Sequence, residues 1–142
     1  YFANGGTFYK PHIVKQLTDS EGKVTRTIEP EVLGKNVVRD DVTRVVRQGM
    51  RQTVTSGSAR SLSALPVSAA GKTGTAQWST KKAPHAWFTG FAPYENPEVV
   101  ITVLVEEGKE GSTAATPVAR EFLQWYFTRN KPTAAPPPAA AN

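Results

Sequence analysis

An α/β (α+β) fold, with an antiparallel sheet flanked by helices, follows from three observations in this sequence. Three strand-like segments lie between residues 69 and 105, joined by connections too short for a parallel crossover. Two helical patterns bracket them, one opening at Asp40 or Asp41 and one at Thr116-Pro117. At 142 residues and 39% apolar composition, the chain is long enough to fill one compact core.

The elements follow in order. Asn4-Gly5-Gly6 is a left-handed stop of the kind that ends a helix, so residues 1–6 are expected to be the last turn of a helix whose body lies elsewhere. The chain starts at Tyr1 without an initiator Met or a signal sequence and is expected to be a piece of a longer protein. Residues 12–17 and 23–28 favour strands, and Asp19-Ser20-Glu21-Gly22 between them makes a hairpin turn. In the helix opened by Asp40 or Asp41, the spacing of Val42, Val45, Val46, Gly49, Met50 and Val54 defines an apolar stripe, with Arg44, Arg47, Arg51 and Gln52 outside it. Adjacent acids at a helix start are a cap and a dipole partner rather than an acid–base pair. Ser56-Gly57-Ser58-Ala59 ends that helix.

A strand follows over Ala69-Ala70-Gly71-Lys72-Thr73-Gly74-Thr75-Ala76-Gln77. Next, residues 85–92 alternate, with His85, Trp87, Thr89 and Phe91 on one face and Ala86, Phe88, Gly90 and Ala92 on the other. Residues 99–105 are apolar on both faces, the mark of a strand covered on both sides. No later segment can be its second neighbour, so it is expected to show unpaired backbone on one edge or to pair with another chain. Thr116 as cap and Pro117 at the first helical position open the last helix, whose apolar face is expected from Val118, Phe122, Trp125 and Tyr126. Residues 1–130 are expected to form the domain, and the Pro/Ala-rich residues 131–142 a disordered tail.

Composition excludes some chemistry. Without Cys there is no disulfide and no thiolate metal site, and His12 and His85 have no carboxylate at ligand spacing, so no metal or cofactor is expected. No apolar run approaches the roughly 20 residues that span a bilayer. The net charge of +5 is read as an ordinary solvated surface, with no nucleic acid bound and no membrane contact by this segment.

Lys72-Thr73-Gly74-Thr75 concentrates a cation, two hydroxyls and a bare backbone. It is read as an edge strand built to hold an anionic peptide end. Alternation puts Lys72 and Gly74 on one face and Thr73 and Thr75 on the other, unless a bulge at Gly74 turns both hydroxyls towards a ligand. A phosphate loop is excluded by spacing, because Pro66 stands where that loop needs a Gly and a strand follows where it needs a helix.

The same four residues resemble the K-T-G motif of penicillin-binding proteins and serine β-lactamases. The surroundings strengthen the likeness: Tyr1-Phe2-Ala3-Asn4-Gly5-Gly6, Lys10-Pro11-His12, Gly49-Met50, Gly57-Ser58-Ala59, Gly74-Thr75-Ala76-Gln77 and Trp87-Phe88-Thr89-Gly90-Phe91-Ala92-Pro93. Together they resemble the C-terminal part of the transpeptidase domain of a class B penicillin-binding protein of the elongation type, over residues 1–127. The resemblance implies a peptidoglycan DD-transpeptidase that acts through an acyl-serine on stem peptides ending in D-Ala-D-Ala and is acylated by β-lactams. It further implies an extracytoplasmic domain anchored by a segment outside this chain. Carried over, Lys72 supplies charge and a hydrogen bond to the second-motif serine, Thr73 and Thr75 bind the substrate carboxylate, and the N–H of Thr75 is an oxyanion donor. Gly74 and Gln77 complete the substrate-binding strand.

One departure is large. Ser20-Glu21-Gly22-Lys23 and Ser79-Thr80-Lys81-Lys82 satisfy S-x-x-K in form, yet one lies in a hairpin turn and the other follows the K-T-G motif, and S-x-N is absent. The nucleophile and its partners are therefore expected from the N-terminal remainder of the same protein, and the chain alone is expected to be inactive. Two alternatives share the motif: a penicillin-sensing domain that is acylated without turnover, and a β-lactam hydrolase. A membrane sensor upstream would favour the first of these, whereas the flanking matches disfavour the second.

Overall fold

A computed structural model describes residues 1–129, and the proposed tail lies outside the described residues. Among the described residues, seven strands and two α-helices make a mixed α/β fold with antiparallel sheets, divided into two compact units at Gly49/Met50.

In the first unit, strands β1 (Thr7–Tyr9), β2 (Gln16–Thr18), β3 (Val24–Thr27) and β4 (Val32–Lys35) form two antiparallel pairs, β1 with β4 and β2 with β3. The β2–β3 hairpin is the expected one. Asp19 Oδ1 accepts the N–H groups of Glu21 and Lys23, and Gly22 supplies the positive φ of 84° that the turn requires. The β1–β4 pairing joins segments too short and too distant to be read from a local pattern. Residues 1–6 form turns in which Gly5 and Gly6 adopt the expected left-handed φ and the Gly6 N–H donates to the Tyr1 carbonyl at 3.1 Å, the six-residue bond of a helical C-terminal stop. Helix α1 (Asp40–Thr55) begins in this unit and ends in the second.

The expected stripe on α1 is corrected by the structure. Val42 and Val45 are exposed, and the buried line runs through Thr43 and Val54 with Val46 and Met50 half-buried. Arg47 and Arg51 lie on the inward side. Their guanidinium groups donate to the carbonyls of Phe2 and Ala69, which accounts for the turn: each neutralises a backbone acceptor while its stem packs. Asp41, in the first turn, pairs with Arg39, and that hydrogen bond holds its carboxyl below the ordinary value.

The second unit is built on a sheet of order β5 (Ala70–Ala76), β6 (His85–Ala92) and β7 (Val99–Val105), antiparallel throughout. One face carries Ala86, Phe88 and Ala92 into a core with Val54, Ala59, Leu62, Leu65, Ala115, Ala119 and Leu123. Strand β7 pairs only with β6 among the described residues, so its other edge is unpaired there, as its sequence predicts. Its covering is one-sided: Ile101 and Val103 pack on the core, while Val100 is 63% exposed. The reading of two covered faces is therefore corrected for the described residues.

Helix α2 (Thr116–Arg129) is also rotated from its expected face. Ala119 and Leu123 are buried, whereas Val118, Phe122 and Trp125 are exposed and Arg129 lies over the Trp125 ring at 4.1 Å. A π-helical turn, Gly111–Ala115, runs straight into α2, and Ala115, Ala119 and Leu123 enter the core with Phe127 packed against it. Thr116 is consequently no cap. It is helical and fully buried, and its Oγ1 donates to the Gly111 carbonyl at 2.9 Å, closing the π turn.

Candidate active-site cleft

Strand β5 is an edge strand, paired to β6 on one side only among the described residues. Its register runs without a bulge from Ala70↔Phe91 to Ala76↔His85, so Lys72 and Gly74 share one face and Thr73 and Thr75 the other. All four nevertheless line one cleft of about 340 Å³, because it lies along the strand's edge; Glu110, Gly111 and Ser112 form the opposite wall.

Several contacts fix this strand. Arg51 donates to the Ala69 carbonyl at 2.8 Å and stands over the Tyr94 ring. Ser68 accepts the Tyr94 N–H at 2.9 Å and donates to Glu95, lowering that carboxyl's pKa. Phe88 fills the space above Gly71 and Gly90, where added Cβ atoms would come within 2.4 and 2.8 Å of its ring. A Cβ on Gly74 would meet only the Trp87 side chain, at 3.2 Å, and the close backbone approach at this point is permitted instead by Gly111. A Cβ on Gly111 would sit 2.2 Å from the Trp87 carbonyl oxygen and 2.7 Å from that of Gly74. Gly111 thus lets the π turn lie on the ladder between β5 and β6, a requirement legible only once those elements are placed.

Lys72 Nζ donates to the Thr73 carbonyl at 2.7 Å and is in no salt bridge among the described residues. This bond puts the Thr73 carbonyl on the strand's open edge, and the two-residue repeat puts the N–H of Thr75 on the same edge. Thr73 Oγ1 lies 2.6 Å from Ser58 Oγ, a contact that the sequence did not disclose. Gln77 is turned elsewhere: its amide N–H groups go to the carbonyls of Ser79 and Lys82, fastening the β5–β6 connection. In that connection Trp78 stacks on His85 at 4.9 Å and donates to the Ala83 carbonyl at 3.1 Å.

Neither formal S-x-x-K pair has an activating arrangement. Ser20 lies in the β2–β3 turn, and Lys82, the lysine paired in sequence with Ser79, is bound to Glu107 at 3.0 Å. His85 Nδ1 accepts the Glu107 N–H at 3.0 Å, and His12 lies 3.4 Å from the Lys10 carbonyl, so both rings serve local structure. Phe88 and Phe91 are core residues, whereas Trp87 remains partly exposed. No group of three metal-ligating side chains occurs among the described residues, and no helix there is long and apolar enough to cross a membrane.

The three-stranded antiparallel sheet with an open edge at Lys72–Thr75 and a helix on one face makes the second unit an α/β domain of sheet and helix layers. This chain belongs to the penicillin-binding protein transpeptidase domain family, whose model matches residues 1–124. It is similar to the peptidoglycan D,D-transpeptidase MrdA of Haemophilus influenzae, at 30% identity over 91% of this chain and 22% of that relative. Among solved structures it is similar to Pseudomonas aeruginosa PBP2 in complex with WCK 5153, with a TM-score of 0.73 and 33% identity over 96% of this chain and 30% of that one. Penicillin-binding protein A from M. tuberculosis, as an imipenem acyl-enzyme complex, matches with a TM-score of 0.74 and 30% identity, covering 89% of this chain and 28% of that one. The chain spans about a fifth of the length of the curated relatives named MrdA that it matches.

Proposed function

We propose that this chain is the C-terminal part of a peptidoglycan D,D-transpeptidase that binds stem peptides ending in D-Ala-D-Ala, and β-lactams, along the open edge of β5. One observation carries the reading: a cation in no salt bridge, two hydroxyls and strand backbone unpaired on one edge among the described residues line a single cleft. A peptide laid on that edge adds as a further strand, its main chain satisfied by β5 and its terminal charge held by side chains. Thr73 and Thr75 grip the carboxylate. The N–H of Thr75 donates to the oxygen that becomes negative when the carbonyl is attacked, and Gly74 keeps the strand open to the ligand.

Lys72 supplies positive charge and a hydrogen bond to a serine of the second motif. That serine, the acylated serine with its lysine, and the second oxyanion donor come from residues outside this chain, and the chain alone is inactive. In the intact protein the domain is extracytoplasmic and membrane-anchored through another segment. The acylated relative supports the covalent route, and the match to residues 1–124 supports the family assignment on which the route depends.

The test is Lys72→Ala in the native protein that contains this chain. Penicillin acylation is expected to slow at least about tenfold, while stability changes by no more than about 0.5 kcal/mol, the usual range for an exposed side chain. Parallel loss of both would make Lys72 structural and remove the reading.

A further inference from the structure

Ser58 has no part in the roles described so far. It follows α1 at a fixed place: Gly57 N–H donates to the Gln52 carbonyl and Ala59 N–H to that of Thr53, each at 2.9 Å, and Ala59 is fully buried. Gly57 permits this tight stop, since a Cβ there would come within 2.8 Å of Thr53 Cα. The backbone on both sides of Ser58 is therefore held, and its Oγ meets Thr73 Oγ1 at 2.6 Å.

Either hydroxyl can be the donor in that contact, and the two arrangements differ at the cleft. Thr73 has one hydroxyl proton. When it is given to Ser58, Thr73 offers only lone pairs to a ligand and repels a carboxylate. When Ser58 donates instead, the Thr73 proton is free to point into the cleft. A carboxylate accepts and cannot donate, so its arrival selects the second arrangement. The first donor also polarises the second hydroxyl and strengthens the bond it makes.

We propose that Ser58 is a positioning residue for carboxylate recognition: it donates to Thr73 and thereby aims the Thr73 proton at the ligand's carboxylate. This rests on the reading of the cleft as a carboxylate site. Ser58 does not touch the ligand. Its effect is confined to ligands that carry the charge, which separates it from a residue that merely supports β5.

The experiment measures second-order acylation of the native protein that contains this chain by benzylpenicillin and by its methyl ester. Ser58→Ala is expected to slow the acid about fivefold to tenfold, the range of a single hydrogen bond to a charged-ligand network, and the ester less than about twofold. Ser58→Thr keeps the hydroxyl and is expected to restore the acid-to-ester ratio. Ser58→Cys, close in volume with a weak donor, is expected to reproduce the altered ratio at little risk to folding. On a Thr73→Val background, Ser58→Ala is expected to add no further loss.

Equal slowing of acid and ester by Ser58→Ala would overturn the proposal, as would an undiminished effect on the Thr73→Val background. If Thr73→Val shifts the acid-to-ester ratio and Ser58→Ala does not, the positioning role alone is wrong. If Thr73→Val leaves the ratio unchanged, the carboxylate reading of the cleft has itself been refuted, and the role of Ser58 falls with it.

Discussion

Replacing Gly111 by Ala tests how the cleft is assembled. The added Cβ would lie 2.2 Å from the Trp87 carbonyl oxygen, 2.7 Å from the Gly74 carbonyl oxygen and 2.9 Å from the Gly74 nitrogen. The nearest of these is more than about 1 Å inside the roughly 3.5 Å of a relaxed contact. All three atoms are backbone in the β5–β6 ladder, so no rotamer change relieves the overlap; the π turn or the strand must move. Overpacking of this kind costs about 1–3 kcal/mol, and three simultaneous backbone contacts put Gly111→Ala near the upper figure. Urea unfolding of the native protein, followed through its midpoint at constant slope, reads that loss. Because Gly111 and Gly74 both line the cleft, penicillin acylation is expected to fall in the same variant. Unchanged stability, within about 0.5 kcal/mol, would refute the packing of the turn on the ladder.

Two other perturbations bear on the supports of the site. Gly49 lies within α1 with open space where a Cβ would go, so Gly49→Ala is expected to stabilise by about 0.5–1 kcal/mol, measured by the same unfolding. Glu95 is a pH-dependent tie: the Ser68 hydroxyl holds its carboxyl below the ordinary value, so the folded state favours the ionised form. Its contribution is full above the ordinary carboxylate pKa and disappears as pH falls through the lowered one. Thermal melts of the native protein and of Glu95→Gln should therefore differ at neutral pH and converge in acid. A difference independent of pH would show that the Ser68–Glu95 contact is not the source.

The sheet was legible in the sequence because its connections are short and its residues alternate. Antiparallel order and the edge position of β5 follow from those two facts, whereas alternation separates the two faces of β6 without telling which is covered. Both helices were legible as elements, but not in rotation. On α2 the large aromatics mark an apolar face by periodicity, yet the core takes Ala115, Ala119 and Leu123 with Phe127 beside them, and the π turn that leads into the helix has no local sequence signal. On α1 the arginines turn inward to meet carbonyls whose positions no local pattern discloses. The site divides in the same way. Lys72, Thr73, Gly74 and Thr75 announce themselves as a motif, and the structure brings all four to one cleft. Ser58 and Gly111 owe their importance to contacts across 15 and 37 residues, with Thr73 and Gly74, and Gln77 is claimed by its own turn.

The central claim is that β5 is the substrate-binding half of an acyl-serine site whose nucleophile lies outside these 142 residues. Mass spectrometry of the native protein after incubation with penicillin, with the acylated peptide sequenced, tests this directly. One stable adduct is expected on a serine outside the chain, and none on the isolated chain. An adduct on Ser20, Ser79 or any other serine of the chain would contradict the account, as would a native protein that penicillin does not acylate.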